Sequence, residues 1–291
     1  MRSTPPGRAF RLLAVSANVD AFLTAAELAS RQAGHVARYL QGRVENLGKR
    51  AHGTPESEAL TAVDLASQDV FLEQMRARLP DFAVDAEEDT PLAAAAPAEA
   101  PGRPVIVLDP IDGTLSYLEG SDDWAVMSGL LEDGRFSAVY LDFPALDRTI
   151  WAARGAGCWL REGRAEPRSI RLAPGAAALP RRVLCGAWFP APGSRALEDL
   201  GLEVVRSRCS AVDATTPVLG RGCGAVARYR IDRRHAIGLF ASVEAGGTVL
   251  IGEQAWTGED PAAFEDDARP TVLAADAEDA EAWRKALATA L

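Results

Sequence analysis

Asp109-Pro110-Ile111-Asp112-Gly113-Thr114 follows directly on the apolar run Val105-Ile106-Val107-Leu108. A short run of branched aliphatic residues closed by Asp-Pro reads as a buried strand and its end. Two carboxylates three positions apart around a proline turn can converge on one point, with the Ile111 carbonyl aimed at the same place. Hard divalent cations such as Mg²⁺ take oxygen ligands of that kind and complete their shell with water. Gly113 and Thr114 would then offer backbone N–H groups to a phosphate oxygen at a helix N-terminus. The end of a strand is also where open α/β sheets place their ligands. An isolated Asp-Pro is better read as a turn cap. The whole hexapeptide, with two further acidic clusters upstream, is not.

Those clusters are Leu60-Thr61-Ala62-Val63-Asp64, at the start of a helix, and Asp85-Ala86-Glu87-Glu88-Asp89, after a strand at Phe82–Val84. Around them the apolar spacing predicts a helix over Val19–Gln41, with Val19, Phe22, Leu23, Ala26, Leu28, Ala33 and Val36 as its stripe. A second helix is predicted over Asp64–Leu79, with Val70, Phe71, Met75 and Leu79 inward and Pro80 as its stop. The Ala/Pro stretch 91–104 reads as a surface loop without chemistry of its own. Strands follow at Trp124–Leu131, Phe136–Asp142 and Thr149–Ala153. Then come Val183–Ala187, a helix at Ser194–Leu200, Val204–Arg206 and a helix at Ala211–Gly220. A buried helix over His235–Glu244 stops at Gly246-Gly247, and a closing helix fits Ala277–Leu291 after an acidic surface stretch from Glu253. The rhythm is layered α/β rather than all-β or a bundle.

The formal net charge of -10 argues against general nucleic-acid binding, which calls for a basic surface. It leaves room for a small phosphorylated ligand held through a bridging cation. No apolar run approaches the length of a membrane span. Cys158, Cys185, Cys209 and Cys223 show no metal-binding spacing and read as small buried hydrophobes in a reducing compartment; the expected location is cytoplasmic. Only Lys49 and Lys285 are lysines, which reads as a compositional bias toward arginine. Trp151, Trp159 and Trp188 are assigned to core or interface. Gly220-Arg221-Gly222-Cys223-Gly224 reads as a turn, not a dinucleotide loop. His35, His52 and His235 have no metal-ligand spacing.

Asp109 through Thr114 is similar to the signature of the inositol monophosphatase family. Leu60–Asp64 resembles that family's first aspartate motif and Glu87-Glu88 its paired glutamates. Trp124–Leu131, Asp142–Asp147 and Gly155–Trp159 resemble the strands that follow. Cys209–Asp213 and Glu244–Gly247 match more weakly. The resemblance spans about residues 20–260. It implies a layered α-β-α-β-α fold in two tightly packed lobes, 1–182 and 183–291, and a homodimer. It further implies that Glu87, Asp109, Asp112 and the Ile111 carbonyl bind Mg²⁺, while Asp64 and Thr114 position and activate the attacking water. Gly113, Thr114 and Arg234 would contact the phosphate.

One position departs from the family pattern. Ten residues before Glu244, where the family places a metal-binding aspartate, stands Arg234, with Arg233 in place of tryptophan. Three readings stay open. Asp232 or Asp213 replaces the ligand while Arg234 points to solvent. Alternatively, the guanidinium takes over part of the cation's role and contacts phosphate. In the third, it displaces the metal and leaves a silent or redirected homologue. The function expected is a Mg²⁺-dependent phosphatase acting on a small sugar, inositol or nucleotide phosphate, with that homologue as the alternative.

Overall fold

The structure is a computed structural model and describes residues 16–49, 59–79, 81–172, 179–263 and 269–291. Helix α1 (Ala17–Leu40) starts where the Ser16 hydroxyl accepts the Val19 N–H, and it buries Phe22, Leu23 and a run of alanines. Helix α2 (Ala62–Arg76) starts at Thr61, whose hydroxyl accepts the Val63 N–H while the Asp64 carboxylate accepts the Thr61 N–H. That reciprocal cap fixes Asp64 in the first turn. Its buried stripe is Val63, Ser67, Gln68, Phe71, Leu72 and Met75. Val70 and Val36, expected inward, lie off their stripes and are 37% and 47% exposed. Pro80, the predicted stop, lies outside the described residues.

Seven strands form the first sheet: β1 (Ala83–Ala86), β2 (Val105–Asp112), β3 (Ala125–Glu132), β4 (Arg135–Phe143), β5 (Arg148–Ala153), β6 (Gly157–Glu162) and β7 (Arg168–Ile170). Only β1 pairs parallel, beside β2; the rest is an antiparallel meander. The second sheet runs in the order β12-β11-β13-β10-β8-β9. Its strands are β8 (Arg182–Gly186), β9 (Glu203–Ser207), β10 (Gly224–Ala227), β11 (Thr248–Ile251), β12 (Gln254–Ala255) and β13 (Thr271–Ala274). The remaining helices are α3 (Pro91–Ala94), α4 (Thr114–Leu118), α5 (Ala191–Glu198), α6 (Ser210–Ala214), α7 (Arg233–Glu244) and α8 (Ala277–Ala290).

Helices α1 and α2 cover one face of the first sheet, α6 and α7 lie between the sheets, and α5 and α8 cover the far face of the second. This is the α-β-α-β-α layering expected. The central core joins Val107, Met127 and Leu141 of the first sheet to Leu239 and Phe240 of α7 and Leu273 of the second. Gly238 lets α7 approach α6 closely, since a Cβ there would stand 2.7 Å from the Ala214 Cβ.

Several expectations are corrected. The helix expected over Ala211–Gly220 ends at Ala214, because the Thr215 and Thr216 hydroxyls turn back onto the Ala211 and Val212 carbonyls and Pro217 follows. Of the tryptophans assigned to core or interface, Trp188 is 69% exposed and so is not in the core. Segment 91–104 begins with α3, capped by Thr90, and its Glu99 pairs with Arg233. The acidic stretch from Glu253 is not all solvated surface, since Trp256 and β13 are buried in it. All four cysteines are free and buried.

Candidate active site

The signature turn is built by an interruption of the sheet. Asp109 pairs with Met127 and Asp112 with Ala125, so β2 carries one residue more than β3 between them. Pro110 sits in that bulge, where a missing N–H costs no ladder bond. The chain then leaves the strand through Gly113 at φ +82, where a Cβ would come within 3.0 Å of the Asp123 carbonyl and the Cys209 Cβ. Glycine is therefore required, and Thr114 opens α4 behind it. The N–H groups of Gly113 and Thr114 fall in the cap and first turn, where a helix provides them no internal acceptor.

Asp64 and Thr114 meet at this turn. The Thr114 hydroxyl lies 3.2 Å from Asp64 Oδ1 and 2.9 Å from the Ile111 carbonyl oxygen. Asp64 Oδ2 accepts from the Thr61 N–H at 2.8 Å and the Thr61 hydroxyl at 2.5 Å. Burial pushes the Asp64 carboxyl up and the Glu87 charge adds to this, against the hydrogen bonds from Thr61 and Thr114.

Glu87 and Asp109 stand side by side at the ends of β1 and β2. Asp109 is buried, and its Oδ1 has no hydrogen-bond partner. Burial raises its carboxyl well above the usual range, the charges of Glu87 and Asp112 raise it further, and Arg234 opposes them. A buried carboxylate oxygen without a partner is a strong demand for a cation. Lys49 reaches the same place: its ammonium pairs with Glu87 and lies 2.7 Å from Glu88. Gln68 holds the Glu88 backbone on both sides, accepting its N–H at 3.0 Å and donating to its carbonyl at 2.6 Å.

Asp112 is differently placed. Its Oδ2 accepts the Cys209 thiol and the Ala211 N–H, and its Oδ1 accepts the Ser210 hydroxyl, each at 2.8 Å. Burial still raises Asp112, with these three donors opposing. Its lone pairs are largely spent on the start of α6.

Arg234 does not point to solvent, nor does Asp232 stand in for the expected ligand. Asp232 caps α7 by accepting the His235 N–H at 2.9 Å, lies 2.6 Å from His235 Nδ1, and accepts from Arg234 Nη2 at 3.2 Å. Arg234 Nη1 stands 3.8 Å from Asp85, and the Glu87 and Asp109 charges reach it through space. Burial disfavours a charged His235 ring, but the hydrogen bond and charge of Asp232 outweigh it and raise its pKa. Arg233 faces away, bridging Asp260 at 2.6 Å, Asp85 at 3.2 Å and Glu99.

The structure thus brings together Asp64, Glu87, Asp109, Ile111, Gly113 and Thr114 at the bulge of β2, with Arg234 on the facing wall. Asp112 joins that wall rather than the Glu87–Asp109 pair. Among the described residues, no three acidic, imidazole or thiol side chains converge as a metal-binding set. The Glu87–Asp109 pair and the Ile111 carbonyl offer oxygen donors suited to one hard cation with waters completing its shell, and the orphaned Asp109 Oδ1 supports that fit. A second cation beside Asp112 does not fit, since Asp112 is engaged and position 234 is cationic. Lys49, Cys209 and Ser210 were missed as site residues. The weak Cys209–Asp213 match was a usable signal for the last two, and the scarcity of lysine was the only one for Lys49.

The chain matches the model of the inositol monophosphatase family over residues 18–185. It is 27% identical over 129 residues to a fructose-1,6-bisphosphatase/inositol-1-monophosphatase of Thermotoga maritima, covering 44% of this chain and 46% of that protein. A histidinol-phosphatase of Mycobacterium tuberculosis is 42% identical over 64 residues, 22% of this chain and 25% of that one. The chain thus spans half or less of the length of these two relatives. Among solved structures, the extragenic suppressor protein SuhB of Bartonella henselae superposes with a TM-score of 0.72 at 19% identity, over 95% of this chain and 100% of that one. A Thermotoga maritima IMPase superposes at 0.70 and 21% identity, over 90% and 95%. These likenesses establish the fold.

Proposed function

The chain belongs to the inositol monophosphatase family, and from that premise we propose that it is a Mg²⁺-dependent phosphatase of small phosphorylated metabolites, of the sugar, inositol or nucleotide monophosphate class. The observation that carries this reading is the hydrogen-bonded Asp64–Thr114 pair beside the orphaned oxygen of Asp109. Glu87, Asp109 and the Ile111 carbonyl would hold one Mg²⁺, which when bound would neutralise charge on the phosphate ester and on the leaving alkoxide. Thr114 Oγ and Asp64 Oδ1 orient a water between them, and Asp64, tied to Thr61 on its far side, takes the water's proton. The Gly113 and Thr114 N–H groups and the Arg234 guanidinium bind phosphate oxygens, Arg234 contributing positive charge on the side where Asp112 is already engaged. The division at 182/183, a homodimer and a cytoplasmic location belong to the same reading.

A second reading rests on Lys49 and Arg234, two internal cations already facing the carboxylates. On that reading the chain is a silent or redirected homologue that binds a phosphorylated ligand. Phosphate release from a panel of sugar, inositol and nucleotide monophosphates, with Mg²⁺ and with a chelator, separates the two. Mg²⁺-dependent release supports the phosphatase. A folded protein that binds inorganic phosphate and releases none from any ester supports the homologue.

A further inference from the structure

Behind α6 lies a cavity of about 30 Å³ that the phosphate chemistry does not use, lined among others by Ser210, Asp213, Tyr229, His235, Leu239 and Thr271. Two oxygens at this cavity are buried without a partner: Asp213 Oδ1 and Thr271 Oγ1. Tyr229 and His235, with ring centroids 4.8 Å apart, are the more exposed of its lining and form its mouth. Ser210 ties the cavity to the wall that Asp112 and Arg234 form across from the Glu87–Asp109 pair, since its hydroxyl holds Asp112 at 2.8 Å. A bound phosphate ester would therefore carry its organic part toward this mouth.

We propose that the cavity is a subsite for a primary ammonium group on the substrate, with Asp213 as its counter-ion and Thr271 as a second acceptor, so that the substrates are phosphate esters of short amino alcohols. This rests on the phosphatase reading for the phosphate end of the molecule only. The volume suits a headgroup of one heavy atom, and two unpartnered acceptors call for a group with more than one N–H donor. The charges facing the cavity are divided: Asp112 and Asp123 favour a cation at Asp213, while His235, whose pKa Asp232 raises, opposes one at the mouth. Burial pushes the Asp213 carboxyl up to about 8, opposed by a hydrogen bond from Ser207, with the Asp112 and Asp123 charges raising it and Arg221 opposing them. Arg221 is committed to Asp123, in a bidentate pair at 2.5 and 3.2 Å. A cation at Asp213 favours the ionised carboxylate, so docking at pH 7 releases a proton.

The test is calorimetric titration of the whole chain with 2-aminoethyl and 3-aminopropyl phosphate against ethyl and propyl phosphate, in two buffers of different ionisation enthalpy. In the wild type one aminoalkyl ester binds at least tenfold more tightly than its alkyl partner and releases a proton. In Asp213→Asn, checked for folding by its melting temperature, that ratio falls to about one and the release disappears. Equal affinities in the wild type, as for a cavity that holds only water, would overturn the proposal, as would a ratio unchanged in Asp213→Asn. If inorganic phosphate fails to bind even with Mg²⁺ present, and no ester binds, the phosphatase reading falls. The cavity is then judged by n-propylammonium against 1-propanol in amide NMR. Shifts at residues 210–215 with the amine alone uphold it, and their absence overturns it.

Discussion

Asp64 has two roles that one atom-for-atom change can separate. Its Oδ2 receives two buried hydrogen bonds from Thr61, and its Oδ1 faces Thr114. Asp64→Ala removes both acceptors and strands the Thr61 N–H where Thr61 is fully buried. The Thr61 N–H and hydroxyl both lose this acceptor, and at about 1–3 kcal/mol for a buried unsatisfied donor unfolding in urea should show a loss of roughly 2–4 kcal/mol. Asp64→Asn keeps an amide oxygen for Thr61, and the Thr114 hydroxyl can still donate to Ile111 at 2.9 Å; its loss should stay under about 1 kcal/mol. The catalytic effect runs the other way. An amide cannot accept the water's proton, and the loss of a general base lowers kcat by about 10²–10⁴. The assay is phosphate release from the best ester at saturating Mg²⁺, beside urea denaturation of both variants. Asp64→Asn retaining more than a tenth of wild-type kcat would refute the role given to the Asp64–Thr114 pair.

Arg233→Met leaves Asp260, with a side chain only 15% exposed, without its guanidinium; a loss of about 3 kcal/mol and faster proteolytic cutting within residues 91–104 are expected, because Glu99 is released too. Gly113→Ala forces a side chain into φ +82 and against the Asp123 carbonyl, and should cost about 1–3 kcal/mol and most of the activity, read by denaturation and phosphate release. Burial pushes Asp142 up to about 6, against a hydrogen bond from Thr149 and the charges of Arg161 and Arg31. Its folded pKa is thus above the ordinary value of about 4, so its contribution to stability is complete below pH 4 and is lost as pH rises through 6. Asp142→Asn should flatten the stability profile between those values in a pH series of denaturation curves.

The layering and the first half of the site were legible because they rest on local pattern. Leu60–Asp64 is both a helix cap and a carboxylate, and Val105–Leu108 runs straight into the bulge that bends Asp109 and Asp112 apart. What was not legible depends on contacts between distant segments. Nothing in the sequence around Asp112 says that Cys209, Ser210 and Ala211 will surround it. Lys49 stands 38 positions from its carboxylate partner, and its neighbours carry no periodic signal. The second sheet was read only in part because β10 and β13 are four residues each, too short to show a period. Val36 and Val70 failed for a simpler reason: apolar side chains one position off a stripe look the same in a sequence as those on it.

On the proposed reading, the Glu87–Asp109 pair makes this chain a metal-dependent phosphatase despite Arg234. The most direct test is Mg²⁺ binding by calorimetry and phosphate release, measured together on the wild type and Asp109→Asn. One Mg²⁺ per chain and metal-dependent release are expected in the wild type, with both lost in the variant. Metal binding and release that survive in Asp109→Asn, or a wild type that takes up no Mg²⁺ and releases phosphate undiminished in a chelator, would contradict that reading.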